Sequence, residues 1–280
     1  MLVMSITAAE VNKLRQQTGS GLMDCKNALT ETNGDFEAAI DFLRKKGAKI
    51  SEKRADREAN EGVVIALTNA EGTFGVAVNL SCETDFVAKN ESFIAIGKEV
   101  AQIALDNKIK SIDDLNASKM GNTTVGERLI NEVGKIGEKI GVSKFEFLEG
   151  EGVVSYIHMG YRMGVLVQTN KSLNDAITLG AKDAAMQIAA MAPVAVDESG
   201  VSSDRIQREL EIGAELARNE GKPEAMIEKI SQGRLKKFYQ ENTLLAQSFV
   251  KDGNLTVGAY LKTIDKDLTV VAFKRVTLGS

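Results

Sequence analysis

The chain has 280 residues, of which 43% are hydrophobic and 26% charged, and its formal net charge is −4. This composition fits a folded protein of one large domain or two to three smaller ones, and the acidic balance argues against binding nucleic acid mainly by phosphate neutralisation. The sequence has no apolar run that could cross a bilayer and no secretory signal at its start. We therefore expect a cytoplasmic protein that binds neither membranes nor nucleic acid.

The first fifty residues predict three short helices. The segment "TAAE", Thr7 to Glu10, fits a capping box, and "TGSG" ends the first helix because Gly19 and Gly21 allow the positive φ of a tight turn. A second helix should begin near Asp24, and a third should follow Asp35, which is a good N-cap. The residues predicted to face the core are Val11, Leu14, Cys25, Ala28, Leu29, Phe36, Ala39, Ile40 and Leu43. So small a core favours a unit that presents a surface.

A charged segment, Arg44 to Asn60, comes next and has no apolar stripe after Ile50. Acidic residues alternate with its basic ones, so the pattern favours a solvated linker, helical in part, over a nucleic-acid contact. A weak internal repeat follows, in which "EGVV" occurs at Glu61 and again at Glu151. Each copy predicts two strands and then a helix, which together indicate two related α+β subdomains.

The segments around the second copy complete the predicted fold. Before it, apolar residues from Leu129 to Ile140 recur at helical spacing, and Phe145 and Phe147 alternate on one face of a strand. After it, residues 203–239 predict an antiparallel helical hairpin. Its turn contains Gly221, which suits a C-cap, and Pro223, which suits a helix start. The tail predicts one short helix and one strand.

Residues that could carry chemistry are few. Cys25 and Cys82 lie far apart and have no disulfide or zinc-site spacing, and the single histidine, His158, makes a histidine-based metal site or a catalytic triad implausible. Glu83 and Asp85 form a carboxylate pair, but without further ligands nearby such acids are more often caps or solvated charges. We therefore expect a binding protein without metal or cofactor, with an enzyme that uses Glu83, Asp85 and His158 as the alternative.

Phe86 stands where an apolar side chain is not expected. It follows Asp85 in "SCETDFVAKN", in the connection between a predicted strand and a predicted helix. From the residues alone, an aromatic side chain that covers the sheet edge is at least as good an interpretation as a residue that contacts a partner.

Two longer segments resemble the signatures of a known family. "LRQQTGSGLMDCKNAL" (Leu14 to Leu29) and "ETDFVAKN" (Glu83 to Asn90) look like the two signatures of the elongation factor Ts family. "YIHMGYRMGVLV" and "GRLKKFYQENTLLAQSFV" extend the likeness over nearly the whole chain. The resemblance implies an α+β fold with an N-terminal ubiquitin-associated-like three-helix domain, a core of two related hairpin-plus-helix subdomains and a protruding helical hairpin.

The domain boundaries that follow are 1–50 for the three-helix domain, 51–60 for the charged linker, 61–150 and 151–202 for the two core subdomains, 203–239 for the helical hairpin (a coiled coil) and 240–280 for a C-terminal module that completes the core. Some family members associate through the second core subdomain or the hairpin, so a homodimer is an open alternative. An adaptor that works through its ubiquitin-associated-like domain alone is another alternative.

Members of this family are guanine-nucleotide exchange factors for elongation factor Tu, which they bind in the GDP-bound and nucleotide-free states during translation elongation. By resemblance the exchange loop consists of Thr84, Asp85, Phe86 and Val87. Phe86 would insert between helices of the partner beside its nucleotide and Mg²⁺ site, and Asp85 would fix the loop through polar contacts.

The resemblance also assigns contacts outside this loop. Arg15, Leu22 and Met23 would grip a helix of the GTPase domain, with core packing as the structural alternative for Leu22. Ile136 and His158 would lie near the partner's phosphate-binding region. The loop after His158, "MGYR", is longer than in some members of the family.

Overall fold

The computed structural model describes residues 6 to 279. The first five residues, within the predicted three-helix domain, and Ser280, the end of the predicted C-terminal module, lie outside the described residues. The α-helices within this range are α1 (Ala8–Thr18), α2 (Leu22–Glu31), α3 (Phe36–Lys53), α4 (Asp85–Ala88), α5 (Glu91–Asp106), α6 (Ile112–Ala117), α7 (Val125–Ile136), α8 (Asp175–Met191), α9 (Ser203–Asn219), α10 (Glu224–Asn242) and α11 (Val257–Ile264). A 3-10 helix spans Glu198–Gly200.

The strands are β1 (Glu61–Thr68), β2 (Phe74–Cys82), β3 (Lys119–Met120), β4 (Thr123–Thr124), β5 (Gly141–Glu149), β6 (Gly152–His158), β7 (Met163–Thr169), β8 (Ser248–Phe249), β9 (Asp252–Thr256) and β10 (Val270–Thr277). These elements form the predicted α+β fold. The described residues divide into two compact units: the first contains residues 6–65, Val78–Phe145 and residues 276–279, and the second contains Ala66–Ala77 and Glu146–Arg275.

The three N-terminal helices form as their local sequence predicts. The Thr7 N–H donates to the Glu10 carboxylate over 2.8 Å and the Glu10 N–H donates back to the Thr7 hydroxyl over 3.2 Å, which confirms the capping box. Asp35 caps α3, and Gly19 ends α1 with a φ of 70°. Gly21 was wrongly assigned to the same kind of turn, because its φ is −59° and it is the N-cap of α2. The buried core of the three helices consists of Val11, Leu14, Cys25, Ala28, Leu29 and Ala39.

A pair of glycines joins this helical domain to the rest of the first unit. The third helix continues through the start of the predicted linker to Lys53, and it packs against α7. A Cβ atom on Gly47 would lie 3.1 Å from the carbonyl oxygen of Ile130, and one on Gly134 would lie 2.9 Å from the Cα atom of Gly47. The absence of side chains at Gly47 and Gly134 is what allows the two helix backbones to touch.

The first predicted hairpin and its helix follow the sequence pattern. The sheet order is β1-β2-β5, β2 is buried along its whole length, and the helix predicted to follow is α5. A Cβ atom on Gly97 of α5 would lie 2.8 Å from a methyl group of Val63, which shows how closely this helix covers β1. A single turn of helix, α4, stands between the sheet and α5 and lies within the segment from Glu83 to Asn90 that resembles a family signature.

The second unit repeats the arrangement. Its sheet has the order β10-β7-β6, with β6 and β7 antiparallel from the pair Gly152–Thr169 to the pair His158–Met163. The predicted helix after this hairpin is α8. Asp183 of α8 accepts hydrogen bonds of 2.6 Å from both the Lys251 ammonium group and the Tyr260 hydroxyl, which ties α8 to the C-terminal segment.

The helical hairpin is formed by α9 and α10. Gly221 adopts the positive φ of 71° expected after a helix, and Pro223 precedes the first residue of α10. The β8–β9 pair was not predicted, because β8 has only two residues and the sequence of β9, "DGNLT", is poor in strand-forming residues. No helix among residues 6–279 is both long and apolar enough to cross a membrane.

Candidate partner-binding site

Residues Thr84 to Val87, named here the TDFV turn, follow the end of β2; Phe86 is exposed and the other three are half-buried. Thr84 is the N-cap of the single-turn helix α4, and its hydroxyl accepts from the Val87 N–H over 3.5 Å. Phe86 is 85% exposed, whereas Ala88, the residue after the turn, is buried. The interpretation of Phe86 as an aromatic side chain that covers the sheet edge is therefore wrong.

Glu138 fixes the start of this turn. Its Oε2 atom accepts hydrogen bonds of 3.0 Å from the backbone N–H groups of Glu83 and Thr84, and its Oε1 atom accepts one of 2.6 Å from the Thr84 hydroxyl. The carboxylate reaches these donors because α7 ends at Ile136 and Gly137, with a φ of 79°, turns the chain. The predicted continuation of this helix to Ile140 is wrong for the same reason.

Glu83 joins the turn to two other segments. Its carboxylate accepts from the Lys139 N–H over 2.6 Å and forms ion pairs with Arg54 at 2.7 Å and Arg57 at 3.1 Å. The charged segment after α3 is therefore not only solvated, as its sequence suggested, but is bound to the base of the TDFV turn. The Lys139 ammonium group adds hydrogen bonds to the carbonyl oxygens of Ala55 and Arg57.

These contacts set the charge state of the acidic pair. Burial alone would raise the pKa of Glu83, but the hydrogen bonds from the Lys139 N–H, Arg54 and Arg57 outweigh it and lower that pKa to about 2. The hydrogen bond and charge of Lys89, 2.6 Å away, also lower the pKa of the half-exposed Asp85. Both carboxyl groups are ionised at neutral pH, so neither suits general acid–base catalysis, which needs a pKa near the working pH.

Asp85 and Lys89 belong to the same short segment, so their ion pair does not tie the turn to the rest of the unit. Cys82, just before the turn, is buried, and its thiol donates to the Thr84 carbonyl over 3.2 Å. Burial, followed by the negative charge of Glu138, raises the pKa of this thiol to about 12. Cys82 is thus a packing residue.

The other predicted contact residues of the first unit also lie on its surface. Leu22 is 49% exposed, Met23 62% and Ile136 37%, and Arg15 is exposed as well. The core-packing alternative for Leu22 is therefore wrong. These side chains belong to the same compact unit as the TDFV turn.

His158 belongs to the second unit, at the end of β6. It is half-buried, and its Nδ1 atom lies 3.0 Å from the Tyr156 hydroxyl. The loop that follows has positive φ at Met159, Gly160 and Tyr161, which are 52°, 62° and 71°. Among the residues that the structure describes, no group of three or more His, Cys, Asp or Glu side chains could hold a metal ion.

Sequence reasoning missed the residues that hold the TDFV turn, namely Arg54, Arg57, Glu138 and Lys139. Glu138 lies in "KIGE", a segment that the family resemblance brought to attention only for Ile136. A glutamate just after a helix-ending glycine is a signal for a carboxylate that accepts hydrogen bonds from a neighbouring segment, and Glu138 could have been found in this way. Nothing in the local pattern indicates that Arg54 and Arg57 pair with Glu83.

Comparison with known proteins identifies the family of this chain. A sequence model of the family described as "Elongation factor TS" matches residues 83–280. Proteins named "Elongation factor Ts" from Flavobacterium psychrophilum and Amoebophilus asiaticus are 48% and 49% identical, over 98% and 99% of this chain and 99% and 100% of theirs. One from Christiangramia forsetii is 50% identical over 98% of this chain and 99% of its own. The chain belongs to the elongation factor Ts family.

Proposed function

We propose that the chain is a guanine-nucleotide exchange factor that acts on elongation factor Tu during translation elongation in the cytoplasm. It binds the GDP-bound and nucleotide-free forms of that GTPase and promotes GDP release through protein–protein contacts, without covalent chemistry. Family membership supports the general role. The observation that carries the mechanism is the side chain of Phe86, 85% exposed on a turn whose start is held by hydrogen bonds.

In this mechanism Phe86 acts as a wedge. Burying a phenylalanine side chain contributes about 1.5–3 kcal/mol relative to leaving it in water. The partner offers full burial only when its helices have moved away from the arrangement that holds GDP and Mg²⁺. The factor therefore binds the open state more tightly than the closed one, and such a difference in affinity is what shifts a conformational equilibrium.

Thermodynamic reciprocity explains how the factor leaves the partner after GDP has been released. A factor that weakens the binding of nucleotide must itself be bound more weakly when nucleotide is present. GTP then displaces the factor from the complex, and the partner returns to its active form.

The remaining predicted contacts supply anchoring. Leu22 and Met23 offer apolar surface and Arg15 a charge on the helical domain, and Ile136 adds exposed apolar surface at the end of α7. His158 contributes a contact from the second unit near the partner's phosphate-binding region. Anchoring residues of this kind bind the closed and open states of the partner alike. They therefore lower the concentration of factor at which release is half-maximal, and they leave the saturating rate unchanged.

The test is the release of a fluorescent GDP analogue from elongation factor Tu, measured by stopped flow at increasing concentrations of the protein and of its Phe86→Ala variant. We expect the wild type to accelerate release, and F86A to be slower by about tenfold or more at saturation. Both should melt at the same temperature, because Phe86 is exposed. Leu179→Ala, which removes another largely exposed side chain in the second unit, is the matched control and should behave as wild type.

The outcomes separate the alternatives. No acceleration by the wild type would contradict the exchange function. Equal acceleration by wild type and F86A would keep the exchange function and exclude the wedge.

A further inference from the structure

The orientation of the TDFV turn has to be imposed from outside the turn. Three of its residues belong to α4, a helix of only four residues (Asp85–Ala88), and a helix this short is not stable by itself in water. The ion pair between Asp85 and Lys89 lies within the same segment, so it cannot orient that segment relative to the unit. At the C-terminal end of α4, Ala88 is buried and Val87 is half-buried.

Glu138 fixes the start of the TDFV turn from outside the turn. One carboxylate accepts three hydrogen bonds, from two consecutive backbone N–H groups and from the Thr84 hydroxyl. Hydrogen bonds to an ionised acceptor are roughly twice as strong as neutral ones. Because Thr84 is also the N-cap of α4, the group that Glu138 holds is the one that starts the helical turn.

The contact between segments 83–84 and 138–139 is reciprocal, because each segment provides a carboxylate that accepts from the backbone of the other. Glu138 accepts from the backbone of residues 83 and 84, while Glu83 accepts from the backbone N–H of Lys139. The segments 83–84 and 138–139 therefore hold each other through two carboxylates. Arg54 and Arg57 complete the charge balance on the Glu83 side.

We infer that Glu138 is the positioning residue of the exchange loop: it holds Thr84 so that Phe86 projects in one orientation before the partner arrives. This inference rests on the proposed function. A side chain whose backbone is already ordered loses less conformational entropy when it enters the partner. Preorganisation therefore favours the step in which Phe86 becomes buried. Glu138 acts through Phe86 and not by touching nucleotide.

The test measures GDP release by Glu138→Ala and Glu138→Gln, alone and combined with Phe86→Ala. We expect E138A to lower the saturating release rate about tenfold, with the half-saturating concentration changed less than about threefold because the anchoring contacts remain. E138Q keeps the size of the side chain and one acceptor oxygen, so it should fall between E138A and wild type. In the F86A background, E138A should have no further effect on the saturating rate.

Glu127→Ala is the matched control, because Glu127 likewise accepts from the backbone N–H of a threonine, Thr124, at 2.9 Å in another capping box. It should release GDP at the wild-type rate. Should E138A fold poorly by circular dichroism, E138Q takes its place. E138Q should then release GDP more slowly than wild type, whereas F86A/E138Q should release it at the same rate as F86A.

Two results would overturn the inference while leaving the exchange function intact. One is an E138A protein as fast as wild type at saturation. The other is a double variant in which the effects of E138A and F86A multiply, since Glu138 would then act independently of Phe86. If the wild type itself fails to accelerate release, the proposed function fails and the inference with it.

Discussion

A Cβ atom on Gly134 would lie 2.9 Å from the Cα atom of Gly47, a distance that real side chains essentially never reach. The crossing of α3 and α7 therefore depends on two residues without side chains. This crossing connects the helical domain, which carries Leu22 and Met23, to the helix that ends beside Glu138. The relative positions of the predicted contact residues in the first unit follow from it.

Gly134→Ala should destabilise the protein by about 1–3 kcal/mol, because the added methyl group meets backbone atoms that cannot rotate away. Urea unfolding followed by circular dichroism measures this change. The matched control is Gly233→Ala in α10, another helical glycine, where an added Cβ has no atom within 4 Å. That substitution should stabilise by up to about 1 kcal/mol, from helix propensity alone. Equal effects of the two substitutions would show that the α3–α7 contact does not limit stability.

Leu22 and Met23 should matter for binding and little for folding. Replacing both by alanine should weaken the complex with elongation factor Tu on the order of tenfold and leave the melting temperature nearly unchanged, because Leu22 is 49% and Met23 62% exposed. Isothermal titration calorimetry and a thermal melt give the two quantities.

Leu14→Ala in the same domain is the opposite case. Its side chain is fully buried, so the substitution should cost about 2–5 kcal/mol of stability. Loss of stability in the double variant L22A/M23A, with binding to elongation factor Tu unchanged, would show that Leu22 and Met23 stabilise the fold and do not contact the partner.

The features that the sequence predicted correctly are local ones. The capping box of Thr7 and Glu10 and the cap by Asp35 join residues three positions apart, so their pattern is visible in a short window. The two hairpins, each with a following helix, were predicted for a similar reason, since alternation and helical spacing are properties of consecutive residues. The same holds for the turn at Gly221.

The features that escaped prediction depend on distant partners. Glu138 and Thr84 are 54 positions apart, and Arg54 and Glu83 are 29 apart. No periodicity links such residues, because the fold and not the local sequence brings them together. Whether Phe86 was buried or exposed could not be decided either, since burial depends on everything that surrounds a side chain. The family resemblance favoured exposure, and the geometry agrees.

The Cys82 thiol should be unreactive in the folded protein. Thiolate is the reacting species, and with a pKa of about 12 only about one part in ten thousand of this thiol is ionised at pH 8. In a Cys25→Ser variant, which leaves Cys82 as the remaining thiol, we expect negligible reaction with an aromatic disulfide reagent over an hour. Addition of denaturant should give full labelling. Rapid stoichiometric labelling without denaturant would mean that the segment before the TDFV turn opens frequently.

The ion pairs of Glu83 should make part of the stability depend on pH. The pKa of Glu83 is lowered from 4.5 to about 2 in the folded protein, so the folded state binds this proton less tightly than the unfolded state. The contribution is therefore fully present above about pH 5, and it is lost as the pH falls through the range from 4.5 to 2. Other carboxyl groups add to the same trend, so a comparison with Glu83→Gln is needed to isolate this one.

Urea unfolding of wild type and E83Q at pH 7, 5, 4 and 3 measures the difference. At pH 7 the wild type should be the more stable protein, because the glutamine cannot pair with the charges of Arg54 and Arg57. The gap between the two proteins should narrow steadily below pH 4.5, because the Glu83 carboxyl group becomes protonated there in the unfolded wild type, and in the folded protein only near pH 2. A gap that stays constant down to pH 3 would show that Glu83 has the same pKa in the folded and unfolded states, and that its two arginines do not stabilise the base of the turn.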